Sequence, residues 1–357
     1  MAQQNRRIGT GTKLWIANGT FWLVFAVYIW GSWILGPDFK ENTIGRDAAT
    51  PGYVLWIRCV EIASVLLAVG QLTVFVFLPK RRTGKLSLDG LFFLACWTLY
   101  LQEPWLDYNS PQFLYTTVSY NRGSWCNYIP GWNSPNAALL PVGSLIWFTS
   151  YLTLVALWIF AGSQFMRWWH KRRPHISPVE LILTTFLLFI PFDFVLEYII
   201  LSTGLFNYAS TVPSMTLWAG QKNQFPLYEI IIWCATLTAW SSVRYFTNDR
   251  GETWAERGLS NITFRSERLK TFIRFLTIMG SLHVLFLLIY NVPYFYFSTK
   301  GGAYPAYEPY RIGGLCGPST NYDCPGLTVP VPKHDSQTNR TIPVSALPSP
   351  PKTAKTL

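Results

Sequence analysis

Seven long apolar stretches, at about 15–36, 53–78, 86–105, 138–162, 179–203, 225–245 and 271–297, constrain this chain more than anything else in it. A helix needs about 20 residues to cross the hydrocarbon core of a bilayer, and each stretch approaches or exceeds that. Half of the 357 residues are hydrophobic and 13% are charged, against roughly a quarter charged in a soluble domain. The expected fold is therefore all-α: a polytopic membrane bundle of about seven transmembrane helices. The third stretch has the shortest apolar middle, with Asp89 and Glu103 near its ends. The first is too long and too aromatic for a cleaved signal peptide, and no small-residue cleavage site follows it.

The net charge of +11 suggests nucleic acid until the basic residues are located. Arg6, Arg7 and Lys13 precede the first stretch, and Lys80, Arg81, Arg82 and Lys85 separate the second from the third. Arg167, Lys171, Arg172 and Arg173 separate the fourth from the fifth; Arg244, Arg250, Arg257, Arg265, Arg268, Lys270 and Arg274 surround the last link. The opposite links hold only Lys40, Arg46, Arg58, Arg122 and Lys222. Basic residues on alternate links follow the positive-inside rule, which places the N-terminus in the cytosol and the C-terminus in the lumen. The bilayer is then the partner that the charge serves, and no nucleic-acid binding is expected.

This topology divides the chain into a cytosolic tail 1–14, a membrane domain 15–298 and a lumenal tail 299–357, expected to be disordered beyond about 330. Cys316 and Cys324 lie in the lumenal tail, where a short Gly- and Pro-containing loop permits a disulfide. Asn339, in "NRT", is the sequon open to glycosylation; Asn18 and Asn261 are expected to stay unmodified. The four histidines have no metal-ligand spacing, so neither a metal nor another cofactor is expected. The cytosolic link 246–270 is charged, with Trp254 and Leu259 expected on the membrane surface. The lumenal link 104–137 is aromatic but rich in Asn, Ser, Gly and Pro, and is expected to fold back as a lid.

Five acids fall at one depth. Asp193 and Glu197 share a helix face by their i, i+4 spacing. Glu103, Glu61 and Glu229 reach the same lumenal half from three other stretches, with Asp107 just above. An intramembrane acid costs roughly 2.5–3.5 kcal/mol to insert and so faces the bundle interior. Together these residues would form an acidic pocket under the lid, in which some carboxyls are neutral and able to donate a proton. Surrounding rings would steady a developing positive charge. The plainer readings are that Glu103 hydrates beside Pro104 at a helix end and that Arg58, one turn before Glu61, pairs with it. His283 reads as a packing histidine and Asp89 as a helix-start residue.

The stretch "KLSLDGLFFLACWTLYLQEPWLDYNSPQFLYTTVSYNRGSWCNYIPGW", followed by "SPN" and later "PFDFVLE", resembles the membrane family of the spirocyclase AveC. The likeness runs over roughly residues 13 to 300, and Glu103-Pro104 stands where many relatives carry Asp-Pro. Within the group the chain is most similar to fungal membrane-bound terpene cyclases of the ascochlorin and ascofuranone pathways. That likeness implies an enzyme of the endoplasmic reticulum acting on an aryl-farnesyl epoxide beside other enzymes of its pathway. Protonation would open the epoxide, and closure would give a tetrahydrofuran or a cyclohexanone. No Asp-rich magnesium motif occurs, and protonation needs none. Asp193, Glu197, Glu103, Glu229 and Glu61 are the candidate catalytic acids. Asp107, Tyr108, Asn109, Trp125, Trp132 and Asn136 of the lid are the candidate substrate contacts. A spiroketal-forming cyclase or dehydratase on a polyketide is the nearest alternative, and a non-enzymatic seven-helix transporter the more distant one.

Overall fold

A computed structural model describes residues 8–108, 113–132, 137–298 and 300–316. All seven apolar stretches are helical. Among the described residues, five helices are long and apolar enough to cross a membrane: α1 (Thr10–Leu35), α2 (Pro51–Thr83), α4 (Leu145–Arg172), α5 (Pro178–Thr203) and α7 (Glu267–Ser298). The other two stretches, α3 and α6, pack among them. α3 is built of Leu88–Leu99, a 3-10 turn Tyr100–Gln102 and Glu103–Tyr108; α6 is Leu227–Tyr245. Most side chains of α3 between Gly90 and Pro104 and most of those of α6 are buried, whereas α5 exposes a broad apolar face that includes Phe192, Val195 and Ile199. The protein is an all-α membrane bundle.

Local signals set the helix ends. Ser177 caps α5 and Glu180 answers it in a capping box, with Pro178 at the first turn; Gly204 ends the helix in the left-handed region at φ 71°. Ser87 caps α3, and Asp89 in its first turn pairs with Arg244 of α6, Oδ1 to Nη2 2.7 Å. α1 and α7 approach closely because two glycines face each other's backbones: a Cβ on Gly19 would lie 1.9 Å from Leu276 O, and one on Gly280 2.3 Å from Trp15 O.

Among the described residues, three helices contain a π turn: Thr73–Phe77 in α2, Tyr151–Val155 in α4 and Phe286–Asn291 in α7. The turn in α4 divides its packing. Ala156–Arg172 lies against α6 and α5, whereas Leu145–Val155 leans on α2 and α3. His283 stacks on Trp22 at 4.5 Å and meets Thr98 Oγ1 at 3.0 Å and Gln102 Nε2 at 2.8 Å, which makes it a packing histidine.

The described residues of the link after α3 are part of the core. Its strand β1 (Phe113–Tyr115) pairs antiparallel with β2 (Phe206–Tyr208), Leu114 opposite Asn207. A second ribbon joins β3 (Thr216–Leu217) to β4 (Phe225–Pro226). Asn121 exchanges hydrogen bonds with the Asn42 backbone at 3.0 and 3.1 Å, and Arg46 Nε donates to Thr117 O at 3.0 Å. These bonds satisfy irregular backbone that an apolar environment would otherwise penalise. In the link 246–266 Trp254 is half-buried and packs edge-on against Trp15, whereas Leu259, 2% exposed, is a core residue rather than a surface one. The 3-10 turn that carries Trp254 packs against α1 and α7.

Candidate active site

A cavity of about 120 Å³ opens where α3, α4, α5, α6 and α7 meet beneath the β1–β2 ribbon. Asp193 and Glu197 of α5 and Glu229 of α6 project into it, and their nearest oxygens all lie within 4.8 Å of one another. Pro191 sits two residues before Asp193 and cannot donate to the carbonyl a turn back, which weakens the helix ladder beside the site. Tyr208 of β2 donates to Glu197, and Tyr290 donates to Glu229 Oε1 at 3.1 Å. Cys234, five residues along α6 from Glu229, lies 3.9 Å from Asp193 Oδ2. The Oε2 atoms of Glu197 and Glu229 are buried without a conventional hydrogen bond.

Glu103 faces the same cavity from α3 in a different setting. Tyr115 of β1 donates to its Oε1 and Tyr151 of α4 to its Oε2. Half of the remaining wall is aromatic, Phe113, Trp147, Trp158, Phe206 and Trp233, and the rest is aliphatic apart from Ser150.

Three carboxylates at this spacing cannot all be bare anions at low cost. Two full charges 4.8 Å apart repel by about 3.5 kcal/mol at an effective dielectric of 20. The trio therefore holds shared protons or a cation, and its donor set, all oxygen, suits either. Next to an aromatic wall this is a place where a proton can be delivered to an apolar molecule and the resulting cation steadied.

Four of the five acids expected in one pocket do meet there. Glu61 does not. Arg58, three residues earlier on α2, pairs with it, and Ser119 Oγ at 3.1 Å and the Tyr120 amide at 2.5 Å bind its other oxygen, so it ties the link after α3 to α2. Trp125 is also placed elsewhere: fully buried, it packs against Trp33 at 5.3 Å and donates Nε1–H to Leu101 O at 3.2 Å, as a core residue. Trp132 packs on the core away from the cavity. The side chains of Asp107 and Tyr108, and Asn109 and Asn136 altogether, lie outside the described residues, as do Cys324 and Asn339. Cys316 is disulfide-bonded.

Sequence reasoning passed over Tyr115, Tyr151, Tyr208 and Tyr290, the four phenols that hold the acids. Tyr151 and Tyr290 sit on π turns, where an extra residue re-aims the side chains that follow. A tyrosine in an aromatic-rich span carries no signal of its own; only the "YN" step at 290–291, polar inside an apolar run, could have marked one.

The family profile described as spirocyclase AveC-like matches residues 81–311, about two thirds of the chain, and that segment contributes every residue lining the cavity. The chain belongs to the AveC-like spirocyclase family. Membership places its activity among cyclases. No curated protein and no solved structure gives a significant match.

Proposed function

We propose that this AveC-like protein is an acid-initiated cyclase of the endoplasmic reticulum that isomerises an aryl-farnesyl epoxide in a fungal meroterpenoid pathway. The observation that carries the reading is the trio Asp193, Glu197 and Glu229 facing an aromatic wall in one small cavity. A proton shared within the trio passes to the epoxide oxygen, the adjacent C–O bond breaks, and the alcohol leaves a tertiary cation on carbon. Trp147, Trp158 and Trp233 stabilise that charge by cation–π attraction, worth about 2 kcal/mol or more when desolvated. An internal hydroxyl or carbon nucleophile closes the ring, and loss of its proton to a carboxylate returns the site to its starting charge.

Glu103, accepting from two phenols, suits the ionised role: it offsets the cation and can take the final proton. The reaction changes no mass and needs no metal. The experiment is conversion of an aryl-farnesyl epoxide by membranes from a host lacking cyclases, with and without EDTA. An isomeric product in both conditions supports the reading; recovered epoxide, or activity that EDTA abolishes and only added metal restores, overturns it.

The family's description as spirocyclases favours one second reading, spiroketal formation on a polyketide. There the trio would protonate a hemiketal hydroxyl, water would leave, and a second hydroxyl would close the spiro centre. The product would be lighter by one water, which separates the two readings directly.

A further inference from the structure

The cavity is too small for the substrate proposed above. A dry cavity of about 150 Å³ holds one benzene, and this one is about 120 Å³. It accepts the reacting end of a chain, and the remainder must lie somewhere continuous with it.

We infer that the site is entered sideways from the bilayer, through a slit between α4 and α5, by a substrate bearing a linear apolar chain. The inference deepens the cyclase reading and rests on it for the nature of the reacting end. At the π turn Tyr151–Val155, α4 leaves α5 for α2 and α3, which opens a wedge between the two helices. Aromatic pairs frame it: Trp158 against Phe189 at 5.2 Å on the side of the basic links, and Trp147 against Phe206 at 5.4 Å on the side of the ribbon. Leu154 and Leu196 form the lips; both line the cavity and both are half-buried. Immediately outside them are the surfaces that a bilayer would cover, with Val195 57% and Ile199 56% exposed on α5 and Leu157 41% exposed on α4.

The two ends of the cavity are closed among the described residues. Buried Phe113, Tyr115 and Phe206 of the ribbon cover one. Towards the other, α4 and α6 touch so closely that a Cβ on Gly162 would lie 2.4 Å from Ser241 Oγ. An apolar chain in the slit exchanges lipid for leucine and tryptophan at little cost, whereas a route from water would have to part the ribbon. Asp193 lies one turn from Leu196, so a chain entering by its reacting end meets the acids first.

Access can be read without turnover by carbodiimides, which modify protonated carboxyls. The full-length protein in phosphatidylcholine vesicles is treated with dicyclohexylcarbodiimide, which partitions into lipid, or with a water-soluble carbodiimide, and the α5 and α6 peptides are mapped by mass. The apolar reagent is expected to modify Asp193, Glu197 or Glu229 and the soluble one to leave them intact. Leu196→Trp should slow modification at least tenfold, Leu154→Trp should do the same from the other lip, and Ile199→Trp on the outer face should change it less than twofold. Modification by the soluble reagent, no modification by the apolar one, or unchanged rates in both lip variants would overturn the slit. If the slit holds but no epoxide is converted, the cyclase reading alone fails.

Discussion

Glu103 and Asp193 line one cavity, but their neighbours differ in kind. Both oxygens of Glu103 accept phenolic protons, the surroundings of an anion, whereas Asp193 has a weak thiol donor and two other carboxyls for company. Pairs of carboxyls divided between two environments are how one site runs acid and base steps together. Asp193→Asn and Glu229→Gln should each lower turnover by about 10²–10⁴, the usual contribution of a general acid, with the protein still accumulating in membranes. Normal rates in both variants would remove the trio from the chemistry. Glu61 supplies the contrast. Glu61→Ala strips Arg58, Ser119 and the Tyr120 amide of their acceptor and should cost about 1–3 kcal/mol of stability. A thermal melt in detergent would read the loss, with turnover of the folded fraction unchanged.

Helices place these side chains by departing from regularity. Two of the three π turns carry a phenol that binds a site acid, Tyr151 on α4 and Tyr290 on α7. A regular helix would rotate each away by the extra residue. The same turn in α4 separates it from α5, so one local irregularity both aims Tyr151 and opens the wedge beside Leu154. Close packing elsewhere keeps the rest rigid. Gly19→Ala would drive a methyl into Leu276 O and should destabilise the α1–α7 contact by about 1–3 kcal/mol, the range for an overpacked core. Gly11→Ala on the same helix, with open space around it, serves as the control in the same unfolding assay. A loss as small at Gly19 as at Gly11 would mean that the two helices slide apart without penalty.

Across the whole molecule, the basic links gather at the end of the bundle opposite the β1–β2 ribbon, so the topology predicts opposite fates for the two termini. In sealed microsomes an N-terminal tag should be digested by added protease and a C-terminal tag protected, with Asn339 sensitive to endoglycosidase; the reverse pattern would invert the bundle. The helical bundle was legible in the primary structure because hydrocarbon length is a property of stretches, readable without knowing what a stretch touches. The i, i+4 pair Asp193 and Glu197 was visible for the same reason: helix periodicity puts them on one face wherever the helix lies. What the chain order alone could not decide is which distant acids join them. Glu61 and Glu229 look alike in sequence, each an acid in an apolar run, yet Arg58 claims one while α6 carries the other to within 4.8 Å of Asp193 and Glu197. Only tertiary packing made that choice, because a buried carboxyl takes the nearest partner that offsets its charge, and nearness between helices is set by how they lean.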